Sequence, residues 1–193
     1  MVCELAGECA VVPTVHNVVA GGKLSVPLDT EELSRKLKAV RFDERAKAAV
    51  FKVAVATVRV YRTGRVSVAG AKSEAGAREA ADAVVQRVRE TVPPSKQQDV
   101  ALRDFRVSSV AATGAVGFPL RLEAVRLVHP SQCTYVPEVN PAATFKLESP
   151  KVTARLFVSG KVTILGAKSE SAVHDAYRQL QPLLKEYEMV RYR

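Results

Sequence analysis

From Ala48 onward the chain alternates, and "AAVFKVAVATVRVYRTGRVSVAG" is rich in β-branched residues. A period of two over that length predicts two or three antiparallel strands, with a tight turn at Thr63-Gly64. The period then changes. In "SEAGAREAADAVVQRVRETV" the apolar positions Ala77, Ala80, Ala81, Val84, Val85 and Val88 fall at helical spacing, with Ser73 as N-cap and a break at Pro93-Pro94. The same succession returns in "ATFKLESPKVTARLFVSGKVTILG", with turns at Ser149-Pro150 and Ser159-Gly160. A second long helix follows from Ser169 to about Tyr187, turning Val173, Ala176, Tyr177, Leu180 and Leu184 inward. An opening strand precedes each block, "VVPTVHNVVA" and "DFRVSSVAAT", and short helices are expected near Thr30 to Val40 and Leu120 to Val128.

The two blocks are copies. "TGRVSVAGAKSE" (Thr63 to Glu74) and "SGKVTILGAKSE" (Ser159 to Glu170) share seven residues of twelve: Gly64/Gly160, Val66/Val162, Gly70/Gly166, Ala71/Ala167, Lys72/Lys168, Ser73/Ser169 and Glu74/Glu170. The period is about half the chain, so each copy is a supersecondary unit rather than a solenoid repeat. The expected division is 11–96 and 97–188, joined by "PPSKQQ" in one continuous body. The glycine, lysine and serine do not make a phosphate-binding loop. That loop needs four residues between its first glycine and an adjoining Gly-Lys; here five separate Gly64 from Gly70, Ala71 precedes Lys72, and the interior "RVSVA" is a strand. Gly70 and Gly166 instead fit a close strand-to-helix junction capped by Ser73 and Ser169.

Composition sharpens this. The 193 residues are 47% hydrophobic, enough for a packed core, and carry a net charge of +9. Basic residues outnumber acidic ones by 16 to 11 before Gln97 and by 13 to 9 from Gln97 onward, so the charge belongs to both copies. An anionic partner is favoured, nucleic acid ahead of a membrane surface. Cys3, Cys9 and Cys133 lack paired spacing, which argues for a reducing compartment and against a disulfide scaffold or zinc cluster. Cys133 reads as packing rather than as a nucleophile. The start "MVCELAGECAVV" is acidic where a secretion signal is basic, and a soluble intracellular protein is expected. His16, His129 and His174 form no triad or ligand set, and no paired carboxylates recur in both copies. An enzyme is therefore not expected, nor a metal or cofactor.

Two copies of strand, short helix, strands and long helix, with "SGK" and "GAKSE" at the junctions, resemble the TATA-binding protein family from about Val11 to Glu186. "FPLRLEAVRLVHPSQCTYVPEVNP" and "LFVSGKVTILGAKSE" carry the likeness furthest. The resemblance implies an α+β fold: a two-fold pseudo-symmetric saddle with a curved antiparallel sheet of about ten strands, and two long and two short helices on its convex face. It also implies a concave face that binds the DNA minor groove by inserting aromatic wedges between base steps.

Carried over residue by residue, the resemblance places Asn17 and Val19 at groove-reading positions in copy one and Ser109 and Ala111 in copy two. The family's wedge phenylalanines fall on Lys47, Tyr61, Asn140 and Phe157, so two wedge positions are polar. Further groove positions are Ser67 and Ala69, then Thr163 and Leu165. Arg65, Lys72, Lys161 and Lys168 match the basic positions that contact the DNA backbone. Phosphate binding is thus expected to persist while groove reading and wedging weaken, a pattern similar to the TATA-binding-protein-related factors, most of all the kinetoplastid kind. The implied function is a nuclear transcription initiation factor on double-stranded DNA. Implied partners are an A-type general factor on the helix bearing Arg78, Arg87 and Arg89, a B-type factor at Tyr135 and Glu138, and other promoter-bound subunits. No membrane or small-molecule substrate is implied. Without the likeness, Tyr61 and Phe157 would read as core, and Lys72 and Lys168 as solvated helix-terminal lysines. The other functional class is a protein-assembly platform brought to promoters by other subunits.

Overall fold

A computed structural model describes residues 11–26 and 28–189; Cys3, Cys9 and the acidic start lie outside the described residues. The strands are β1 (Val11–Leu24), β2 (Val40–Asp43), β3 (Ala48–Val53), β4 (Ala56–Tyr61), β5 (Arg65–Ala71), β6 (Leu102–Ala115), β7 (Cys133–Thr134), β8 (Ala142–Glu148), β9 (Lys151–Phe157) and β10 (Lys161–Ala167). The helices are α1 (Thr30–Lys36), α2 (Glu74–Thr91), α3 (Leu122–Val128) and α4 (Glu170–Lys185), and the linker forms a 3-10 turn at Pro94–Asp99. Ten strands with two long and two short helices, among the described residues, are the expected α+β complement. The short helices begin or end inside the expected spans, because Val40 already pairs with Phe51 as a strand residue and Leu120 bridges Glu188.

The chain divides into two compact units. One is His16–Ser109; the other joins Val110 onward to the described residues before His16. Strands β1 and β6 therefore each contribute to both units. In the first unit the order runs β2-β3-β4-β5-β1, all antiparallel. Beyond β1 lies the start of β6: Ser25 N–H donates to the Ala101 carbonyl at 3.0 Å, and a Cβ on Gly22 would lie 2.8 Å from the Arg103 carbonyl oxygen. The second unit runs β7-β8-β9-β10-β6. Its Gly114 meets the start of β1, where a Cβ would fall 2.7 Å from the Val11 carbonyl oxygen.

Alternation decides the faces. Val58, Val60, Val66 and Val68 are buried, as are Val152, Leu156, Val162 and Ile164, while their neighbours along each strand are half-buried or, at Arg65, Lys151 and Lys161, exposed. Onto the buried face of the first unit α2 packs Ala77, Ala80, Ala81, Val84, Val85 and Val88, and onto that of the second α4 packs Val173, Ala176, Tyr177, Leu180 and Leu184. Those are the inward residues that the helical spacing predicts. Phe51 and Phe145, opposite Val58 and Ala154, are fully buried in the two cores. Burial of each such side chain contributes on the order of 1.5–3 kcal/mol.

Ser73 and Ser169 cap α2 and α4 as expected, accepting from Gly76 N–H at 3.0 Å and Ala172 N–H at 3.1 Å. Gly70 and Gly166 differ from expectation in part. Both stand at ladder irregularities with positive φ, 91° and 86°, but a Cβ on Gly166 would meet nothing within 4 Å. Backbone conformation, rather than close approach, requires glycine at Gly166. Gly160 is the crowded position, where a Cβ would lie 2.1 Å from the Phe118 carbonyl oxygen.

Candidate nucleic-acid interface

Each unit has a sheet face that its helices do not cover. In His16–Ser109 that face displays Thr57, Arg59 and Tyr61 from β4, Ser67 and Ala69 from β5, and Asn17 and Val19 from β1, all half-buried. Arg65 and Lys72, at the two ends of β5, are exposed. In the second unit β9 shows Thr153, Arg155 and Phe157, β10 shows Thr163 and Leu165, and exposed Lys161 and Lys168 bound β10. The groove positions expected from the sequence thus assemble on open faces with cations at their margins. Ala111 is the exception, being 8% exposed.

Asn17 has a defined orientation. Gly70 N–H donates to its Oδ1 at 2.8 Å, so the carbonyl end is committed and the NH2 is the donor end that remains. Minor-groove edges of A·T pairs offer only acceptors, and that end suits them. Ladder register places Ser109 at the matching point of copy two: Val18 faces Ala71 and Val110 faces Ala167. A hydroxymethyl group there has less reach than an amide.

Both retained aromatics have a guanidinium over the ring, Arg65 over Tyr61 at 5.6 Å and Arg155 over Phe157 at 5.8 Å. Asn140 holds the second of these. Its Oδ1 accepts from Ala142 N–H at 3.0 Å, closing a local turn, and from Arg155 Nη2 at 3.1 Å. Lys47 is placed differently. Ala48 pairs with Tyr61 whereas Ala142 pairs with Phe157, so Lys47 is one residue and Asn140 two residues from the position opposite the aromatic. Lys47 stands in the β2–β3 turn with φ 48° and lines a cavity with Asp29, Phe42 and Arg62.

On α2 the three arginines diverge. Arg78 pairs with Asp82 at 2.9 Å and lies over the Phe105 ring, and Arg89 Nε donates to the Val100 carbonyl at 2.9 Å. Arg87 is exposed with no partner among the described residues. Near α3, Tyr135 is buried and lines a cavity with Glu123, Arg126 and Pro137, while Glu138 is exposed beside Val136 and Val139. Burial pushes the Cys133 thiol above its ordinary range, in keeping with packing. Among the described residues no three His, Cys, Asp or Glu groups could hold a metal ion, and no helix is long and apolar enough to cross a membrane.

Arg59 and Arg155 also stand on these open faces, and the sequence reading does not single them out. They are identical at the repeat offset of 96, so the internal alignment already contained the signal.

A duplicated α+β unit with one helix-covered sheet face and one open face edged by cations is the class that the geometry defines. A family model described as "Transcription factor TFIID (or TATA-binding protein, TBP)" matches residues 12–91 and 104–187. The chain belongs to the TATA-binding protein family, a family of non-enzymatic transcription factors. It is 31% identical to TATA box-binding protein-like 2 of Rattus norvegicus over 95% of this chain and 53% of that protein. It is 28% identical to the TATA-box-binding protein of Acetabularia peniculus over 92% of each. Among solved structures it resembles Methanococcus jannaschii TBP with a TM-score of 0.76 and 27% identity, over 91% of this chain and 99% of that one. The chain spans about half the length of the TATA box-binding protein-like 2 relatives that it matches.

Proposed function

We propose that the chain is a nuclear transcription initiation factor that nucleates promoter complexes, binding duplex DNA on its open sheet faces with weakened TATA specificity and weak bending. The observation that carries this reading is the pairing on each face of a cationic margin with a single aromatic whose ring is overlaid by a guanidinium. Arg65, Lys72, Lys161 and Lys168 attract phosphate, while polar Lys47 and Asn140 cannot fill the gap between unstacked bases without desolvation. The finer likeness to kinetoplastid TATA-binding-protein-related factors is part of this proposal and rests on those departures. General factors of the A type meet the α2 face around Arg87, and those of the B type meet the Glu138 surface, alongside other promoter-bound subunits.

A second reading, a protein-assembly platform with little direct DNA contact, draws on the exposed Leu127, Val128 and Val139. Salt titration of binding to a duplex separates the two. Four marginal phosphate contacts give a log–log slope of about −3.6, steeper with each further contact, whereas a platform touching DNA weakly gives a shallow one.

A further inference from the structure

We infer that Arg59 and Arg155 are a repeated pair of DNA-contacting cations, one on each open face, that neutralise phosphates at the walls of the groove. The inference rests on the duplex-binding reading above and extends it to two residues outside the cationic margins.

Each arginine stands mid-strand in a row of small or β-branched side chains. Arg59 faces Val50 on one neighbouring strand and Ser67 on the other, and Ser67 faces Gly21. Arg155 faces Thr144 and Thr163, and Thr163 faces Thr113. A long, guanidinium-tipped side chain therefore rises among shorter ones in both units. Neither arginine has a carboxylate within ion-pair distance among the described residues. Asp43 is near enough to feel Arg59, but its carboxylate already accepts from the N–H groups of Ala46 and Arg45, both at 3.1 Å. Arg155 is also pre-arranged, with Asn140 on one side and the Phe157 ring beneath it, so its guanidinium loses little further freedom on meeting an anion. The same residue recurs 96 positions on, at the same ladder position and two residues before the aromatic.

The test compares wild type, Arg59→Leu/Arg155→Leu and Arg59→Gln/Arg155→Gln in salt titrations of duplex binding. The Gln pair keeps the face polar should the Leu pair fold poorly. Each lost contact makes the slope shallower by about 0.9, so the affinity lost between 50 and 200 mM salt shrinks about 12-fold in the double variants. Arg178→Gln removes a cation that is ion-paired to Asp175 on α4, and its slope stays at the wild-type value. Wild-type binding with an unchanged slope in the Gln pair overturns this inference alone, as does an equal effect per residue from Arg178→Gln. Absence of any duplex binding by wild type overturns the duplex-binding reading and this inference with it.

Discussion

A single hydrogen bond fixes which end of the Asn17 amide is taken and which is left to donate. With Oδ1 taken by Gly70 N–H, an aspartate there would keep that acceptor but present negative charge where the amide presents a donor. Asn17→Asp should therefore leave unfolding by urea within about 0.5 kcal/mol of wild type. It should weaken duplex binding at least tenfold, roughly 1.4 kcal/mol. Equal affinity for DNA would remove Asn17 from the interface. Asn17 was legible only through the family resemblance, which carries a groove-reading amide onto that position. Arg59 was not, since a single arginine at an outward position of an alternating strand looks like any solvated charge. The unequal placement of Lys47 and Asn140 was also hidden. The β3–β4 and β8–β9 hairpins differ in arm length, and spacing counted along the chain cannot say which residue of a turn faces the aromatic.

Elements were more legible than the junctions between them. Helical spacing identified the inward faces of α2 and α4 because six and five apolar residues had to meet one sheet, and the serine caps fixed their starts. Ser73→Ala should cost about 1 kcal/mol of stability in chemical denaturation, the usual worth of such a cap. The glycines carry a graded expectation. Gly166→Ala meets open space and bears only the positive-φ strain of about 1–2 kcal/mol, whereas Gly160→Ala also drives a methyl into the Phe118 carbonyl oxygen. Gly160→Ala should be clearly the more destabilising of the two; the reverse order would show that the Ser159-Gly160 turn relaxes freely. The sequence likened Gly70 and Gly166 to a close junction because glycine signals both proximity and unusual φ, and only coordinates separate those causes.

At the scale of the whole molecule, repeats and compact units do not share boundaries. Residues 11–96 lack Ala101 to Phe105, which lie against Ser25, Gly22 and Arg78 in the unit that copy one otherwise builds. A fragment ending at Lys96 should accordingly show no cooperative thermal unfolding by circular dichroism, and a sharp transition like that of the full chain would contradict this. Wedging costs a few kcal/mol per unstacked step and is recovered only when apolar groups fill the gap, whereas both retained aromatics are overlaid by cations. Preference for easily deformed TA steps depends on deforming them, so it should weaken with the wedge while phosphate attraction persists. The most direct measurement is fluorescence-monitored bending, with competition binding, of a TATA duplex and a G·C-rich duplex of equal length. The account predicts a shallow bend and affinities within about a hundredfold of each other, whereas a sharp bend with a larger TATA preference, beyond about 2.7 kcal/mol, would contradict it.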